Sequence, residues 1–230
     1  MSMKRICYLA MTAEEIAACH VLPDHRAFMA CHFSPYGQGL TMPPDRIASD
    51  VMLIINDRIP ISGHDPGLIS DQIYSLEPQS LLLDLQRAGL EETFRLVSVL
   101  SQSLSIPMAV SSQYAQDVTC PVFVSPVPPD IPAEEWLQPW QGRKIWLDTT
   151  FTGIRYTLSD SRSICVPLPP VALSFKDNAL HTHYEIREEG DHITVDFSRT
   201  AADQEEFLHE SGQYGVTRAI GLYQEWKSFL

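Results

Sequence analysis

Ser80-Leu81-Leu82-Leu83-Asp84-Leu85-Gln86-Arg87 is a nearly continuous apolar run that ends in an acid and an amide. Strands covered on both faces read this way, and in parallel α/β proteins the polar residues at their carboxyl ends are where ligands are handled. Alternation sets Asp84 and Gln86 on one face and Leu83 and Leu85 on the other. The stretch therefore predicts a buried parallel strand with an acid at its tip.

The neighbouring segments give this strand a crossover on each side. Upstream, Asp65-Pro66 supplies an N-cap and a proline at the first helical position, Leu68, Ile69, Ile73 and Leu76 form an apolar stripe, and Glu77-Pro78 ends the helix. Downstream, beyond Gly89, the segment 91–104 carries Phe94, Val97, Leu100, Ser101 and Leu104 at helical spacing, with Glu91 and Glu92 favourably placed in the first turn. Further apolar strands are expected at 5–10, 27–33, 51–55, 107–110, 120–124, 144–148 and 216–222. Thr12-Ala13-Glu14-Glu15 reads as a capping box, and Thr200, aided by Asp203, caps a helix over 201–211. After Thr149 the pattern changes to short strands at 155–158, 163–166, 180–187 and 192–197, joined by polar turns as in antiparallel hairpins.

Seven or eight central strands can be counted, depending on whether the first strand and the 192–197 strand belong to the central sheet. A closed β/α barrel usually takes about 250 residues, and this chain of 230 also spends length on hairpins. The expectation is one α/β domain over 1–230, a compact and irregular TIM-like β/α barrel with reduced outer helices and a β-hairpin-rich insertion at 150–199. An open α/β sheet and another α+β arrangement are the alternatives.

The formal net charge of −13 argues against a protein that tracks a nucleic-acid backbone, and no Lys/Arg run supplies a local basic patch. No segment approaches the about 18 continuous apolar residues of a membrane span. The basic start Met1-Ser2-Met3-Lys4-Arg5 and its short apolar sequel are broken by Thr12, Glu14 and Glu15, which fits a first strand better than a signal peptide. Five scattered cysteines without a C-x-x-C pair suggest reduced, mostly buried thiols, so a cytoplasmic protein is expected. Tyr36-Gly37-Gln38-Gly39 lacks the Walker lysine and the third glycine of a dinucleotide fingerprint, so no cofactor is expected, and Ser111-Ser112 lacks the G-x-S-x-G setting of a serine nucleophile. His181, His183 and Glu185 would share a strand face. A polar hairpin face is the expectation there, rather than a metal site.

The strand tips then define a candidate mouth. Asp84 and Glu225 are the preferred acid/base pair, with Asp57 and Asp148 as substitutes, because glycoside hydrolysis works with two carboxylates, one protonating the leaving group and the other acting as nucleophile or base. His32, Asp57, Gln86, Gln113, Tyr114, Asp148, Tyr223 and Gln224 are candidate substrate contacts. Tyr36, Trp140, Trp146, Tyr223 and Trp226 offer ring faces for a sugar. This pattern of acidic and aromatic tips resembles glycosidase-like β/α barrels, in which an acid at the tip of strand four commonly joins catalysis. The resemblance implies a hydrolase acting on a glycan or other small polar compound. The chitinase-type run D-x-x-D-x-D-x-E does not occur around Leu81 to Arg87, so Asp84 does not inherit that catalytic role. The other reading is a noncatalytic carbohydrate-binding or regulatory barrel. In either case the partner is a carbohydrate or small polar molecule, and the hairpin region could cover the site or support a homodimer.

Overall fold

The computed structural model describes residues 6–35, 39–41, 51–59, 63–87, 91–149, 153–159, 162–168 and 173–227. Its strands are β1 (Ile6–Met11), β2 (Arg26–Phe33), β3 (Leu40–Thr41), β4 (Met52–Asn56), β5 (Ser80–Asp84), β6 (Met108–Ser111), β7 (Val122–Val124) and β8 (Ile145–Asp148). These are followed by β9 (Gly153–Ser159), β10 (Arg162–Leu168), β11 (Phe175–Asp177), β12 (Thr182–Glu189), β13 (His192–Ser198) and β14 (Val216–Leu222).

Eight of these strands, β1, β2, β4, β5, β6, β7, β8 and β14, pair in parallel in that order, and β1 pairs with both β2 and β14. The sheet is therefore closed, and the fold is a TIM-barrel-like (β/α)8 barrel with extra strands. Closure settles the ambiguous strands: the first strand is a barrel stave, whereas 192–198 belongs to the separate antiparallel sheet β10-β9-β13-β12-β11. That five-stranded sheet lies in sequence between β8 and β14. β3 adds one short antiparallel pairing to β2.

Burial follows the alternation expected for staves covered on both sides. Tyr8, Ala10, Ala27, Met52, Ile54, Leu82, Ala109, Phe123, Trp146 and Ile220 form the barrel interior, with at least one residue from every stave. Leu81, Leu83 and Leu85 join the larger outer core. Asp84 thus shares the inward face of Leu82, at the carboxyl end of the barrel. At about 25 cal/mol per Å², fully burying one such leucine contributes roughly 1.5–3 kcal/mol, so these runs can hold a sheet whose helical cover is thin.

Among the described residues the helices are α1 (Ala13–Ala18), α2 (Pro66–Leu76), α3 (Glu91–Ser103), α4 (Ala133–Leu137), α5 (Ala201–Glu210) and α6 (Tyr223–Trp226). The crossover from β6 to β7 contains a single 3-10 turn, Ser112–Tyr114. Asp65 caps α2 through the Gly67 amide at 2.9 Å, and Thr12–Glu15 and Thr200–Asp203 are both reciprocal capping boxes. Glu77 closes α2 in the left-handed region, φ 49°, where the following Pro78 disfavours helical backbone. The buried stripe of α2 is Ile69, Ser70, Ile73 and Leu76. Leu68, expected in that stripe, is one position round the helix and 40% exposed. In α3 the buried face is Thr93, Leu96, Val97 and Leu100, while Phe94 packs at its margin on Tyr114. No described helix is long and apolar enough to cross a membrane.

The inserted sheet is fastened to the barrel by charge as well as by packing. Buried Arg199 donates to the carbonyls of Val127 at 2.6 Å, Pro128 at 3.3 Å and Leu180 at 3.2 Å, and its guanidinium lies 4.4 Å above the Phe207 ring. Burial lowers its pKa to about 10, so it remains a cation at neutral pH. His183 and Lys176 reach the carboxylate of Asp203 in α5 at 2.8 and 3.1 Å, and His181 reaches Glu210 at 3.0 Å. His181 itself lies in a turn at φ 48°, off the strand face on which it was expected. Among the described residues no cluster of three or more His, Cys, Asp or Glu could hold a metal.

Candidate functional site at the carboxyl end of the barrel

In-register parallel pairing places His32, Asn56 and Asp84 side by side across three adjacent staves. A register shift between Phe28 and Cys31 in β2 sets His32 opposite Asn56. His32 Nδ1 lies 3.0 Å from Asn56 Oδ1, which also accepts from the Arg58 amide at 3.1 Å. Because a carboxamide oxygen only accepts, this network assigns the proton to Nδ1 of His32.

Asp84 is half-buried and accepts from the side-chain amide of Gln86. Burial pushes its carboxyl pKa upward; the Gln86 bond opposes that rise, and the nearby charge of Asp57 adds to it. Asp57, just past β4, is 3% exposed. Its two oxygens accept the backbone amides of Gln86 and Arg87, each at 2.8 Å. Arg87 returns the contact, with Nε on the Asp57 carbonyl at 2.8 Å and Nη2 on the Arg58 carbonyl at 2.9 Å.

The β5 tip is held from its other side too. Ser111 Oγ accepts from the Leu85 amide at 2.8 Å and donates to the Leu83 carbonyl at 3.2 Å. Gln113 Nε2 donates to the carbonyls of Leu85 at 2.6 Å and Arg87 at 3.0 Å, and the Tyr114 hydroxyl donates to Arg87 at 2.5 Å. Asp84 therefore stands on a rigid tip. Asn56, Asp57, Arg58, Asp84, Gln86 and Arg87 line an open depression of about 390 Å³. A larger concavity of about 870 Å³ lies where Lys144 and Gly215 precede β8 and β14, at the amino end of the staves. The smaller one occupies the end at which barrels handle ligands.

The structure brings together His32, Asp57, Asp84 and Gln86, and it brings Gln113 and Tyr114 against the same segment as its supports. Tyr114 is buried, and its hydroxyl faces a backbone carbonyl. Asp148 ends β8, half-buried on the inward alternation of Trp146. Trp146, expected to offer a ring to a sugar, is 2% exposed inside the barrel, and Trp140 packs against the outer core. Tyr223, Gln224, Glu225 and Trp226, expected at a strand tip, form the short helix α6. The Tyr223 hydroxyl lies 3.4 Å from Cys19 Sγ, Gln224 donates to Glu15, and Trp226 is buried in the outer core. Glu225 is half-buried on α6, beyond β14. In the closed order β14 and β5 are four staves apart in either direction, so Glu225 and Asp84 belong to opposite sides of the barrel. Tyr36 lies outside the described residues.

Arg58 and Arg87 were not singled out from the sequence as contacts. The signal was present in the two polar pairs Asp57-Arg58 and Gln86-Arg87, which follow consecutive parallel strands and so must end up adjacent.

No protein-family model matches the chain, and no curated protein matches it either. Solved structures do. The Bacillus cereus spore cortex-lytic enzyme SleL aligns with 97% of this chain and 73% of its own at TM-score 0.57 and 12% identity. A chitinase from Chromobacterium violaceum aligns over 94% and 93% at TM-score 0.57 and 10% identity. The C-terminal domain of a putative chitinase from Desulfitobacterium hafniense aligns over 95% and 93% at TM-score 0.54 and 12% identity. The likeness is one of fold. It makes this barrel similar in fold to the barrels of these three proteins.

Proposed function

We propose that this chain is a glycan-recognising barrel whose mouth around Asp84 binds a saccharide without cleaving it. The observation that carries this reading is the commitment of Asp57: both of its oxygens hold backbone amides, at 2.8 Å each. Two-carboxylate hydrolysis needs a second acid beside the first, about 5–5.5 Å away for retention or 6.5–9.5 Å away for inversion. The acid adjacent to Asp84 already has a structural task, and Glu225 belongs to the far side of the barrel. The sequence agrees. Aligning Asp84 with the second acid of D-x-x-D-x-D-x-E puts Leu81, Gln86 and Ala88 at the other three positions.

What remains suits hydroxyl and acetamido groups. Asn56 and Gln86 offer amides, Arg58 and Arg87 line the rim, and Asp84 can accept a hydrogen bond or, when protonated, donate one. The names of the similar structures direct the choice of ligand toward N-acetylhexosamine polymers.

Hydrolysis with Asp84 as proton donor is the second reading, favoured by the upward shift of its pKa. Incubation with N-acetylglucosamine oligomers separates the two. Binding without released product supports recognition alone; product release abolished by Asp84→Asn would replace it with catalysis.

A further inference from the structure

The depression around Asp84 carries a charge opposite to that of the chain. Asp and Glu outnumber Lys and Arg by 29 to 16 in the whole sequence. Yet the residues that line this one depression include Arg58 and Arg87 as well as Asp57 and Asp84. Asp57 is buried and spends both oxygens on the backbone amides of Gln86 and Arg87. Two guanidinium groups therefore line the opening against one available carboxylate.

The two arginines are fixed differently. Arg87 donates from Nε and Nη2 to the carbonyls of Asp57 and Arg58, at 2.8 and 2.9 Å, which orients its head group and keeps Nη1 out of those bonds. Its partners are carbonyl dipoles rather than carboxylates, so they leave its positive charge uncompensated. Because one of these carbonyls belongs to Arg58, the two residues are in direct contact within the same depression. Arg58 is held by its backbone, whose amide donates to Asn56 Oδ1 at 3.1 Å, and its exposed guanidinium pairs with no carboxylate among the described residues.

A guanidinium pair with one surplus positive charge suits a monoanion that has two acceptor oxygens in a plane, which is a carboxylate. Asp84 has Oδ1 on the Gln86 amide and keeps Oδ2 as an acceptor for hydroxyls. Asn56 contributes N–H donors, because its oxygen is committed to His32 and Arg58. A neutral sugar uses the acceptor and the amides but not the cations. A sugar acid uses all of them.

We propose that the saccharide recognised at this mouth is acidic, a uronate-containing glycan whose carboxylate is gripped by Arg58 and Arg87 while its hydroxyls bond Asp84 and Asn56. This inference rests on the saccharide-binding reading above and adds to it the charge class of the ligand.

Calorimetric titration at pH 7 and fixed ionic strength tests it with three tetrasaccharides: hyaluronan, which alternates glucuronate with N-acetylglucosamine, the same compound with its carboxylates methyl-esterified, and chitotetraose. Wild-type protein should bind the free acid about tenfold more tightly than the ester, the scale of one hydrogen bond to a charged group. Chitotetraose should bind about as the ester does. Arg58→Gln should abolish the preference for the acid, and Arg58→Glu should reverse it. If neither variant folds, the acid-to-ester ratio of the wild type decides. Equal affinity for acid and ester would overturn the acidic ligand while leaving saccharide recognition in place. An undiminished preference in Arg58→Gln would overturn the clamp, and no binding of any of the three would overturn both readings.

Discussion

Asp57 and Asp84 lie on neighbouring strand tips, yet their partners give them different work. Asp57 ties the turn after β5 to the end of β4 through two backbone amides. Asp57→Ala would strand those amides, and urea unfolding should show a loss of about 2–4 kcal/mol. Asp84 is the reverse case, a carboxylate made less comfortable by burial. Its folded pKa lies above the unfolded value near 3.8, so the folded state binds the proton more tightly. The stability it contributes is full below that value and is lost as pH rises through the folded pKa. Asp84→Asn should remove this dependence, leaving the variant more stable relative to wild type at pH 7 than at pH 3 when urea midpoints are compared. The acid at the tip of 80–84 was legible because alternation fixes its face. The task of Asp57 was not, because its partners are backbone amides 29 and 30 residues away, and a sequence does not display those.

At the scale of elements, the caps were the clearest local signals. Thr12, Asp65 and Thr200 each start a helix in the manner their short polar side chains allow. The end of the chain was less transparent. A four-residue helix has too few turns to show a period, so α6 reads as a continuation of β14. Its seating depends on Gly221: a Cβ there would lie 2.3 Å from Trp226 Nε1 and 2.8 Å from Thr149 Oγ1. Gly221→Ala should displace Trp226 and cost about 1–3 kcal/mol, visible as a red-shifted tryptophan emission and a lower Tm. The inserted sheet answers to pH in the opposite sense from Asp84. The Arg155 hydrogen bonds hold the carboxyl of buried Asp196 below the usual range. Burial raises that of Asp203, but Thr200, Lys176 and His183 outweigh it and leave it lowered. The stability these two supply is present above the ordinary carboxylate pKa and is lost as pH falls through their lowered values. Hydrogen exchange followed from pH 6 down to pH 3 should show β12 and β13 losing protection before the barrel staves; uniform protection loss would speak against this.

The whole molecule is a short chain closed into eight staves, and closure is what gives scattered polar tips a common mouth. Apolar runs with polar ends at 51–57, 80–87 and 144–148 carried enough information for the barrel. Closure itself depends on β1 pairing with both β2 and β14, a long-range contact that periodicity cannot register. The same closure separates Asp84 from Glu225, turning what looked in sequence like an acid pair into groups from opposite staves. Closure thus leaves the Asp84 depression as the proposed saccharide site, and titration with N-acetylglucosamine oligomers, read by amide NMR shifts, tests it. Saturable shifts centred on Asn56, Arg58, Asp84 and Gln86 are expected, with affinity at least tenfold weaker in Asp84→Ala and no cleavage of the oligomer. Shifts confined to the amino end of the barrel, or affinity unchanged in Asp84→Ala, would contradict it.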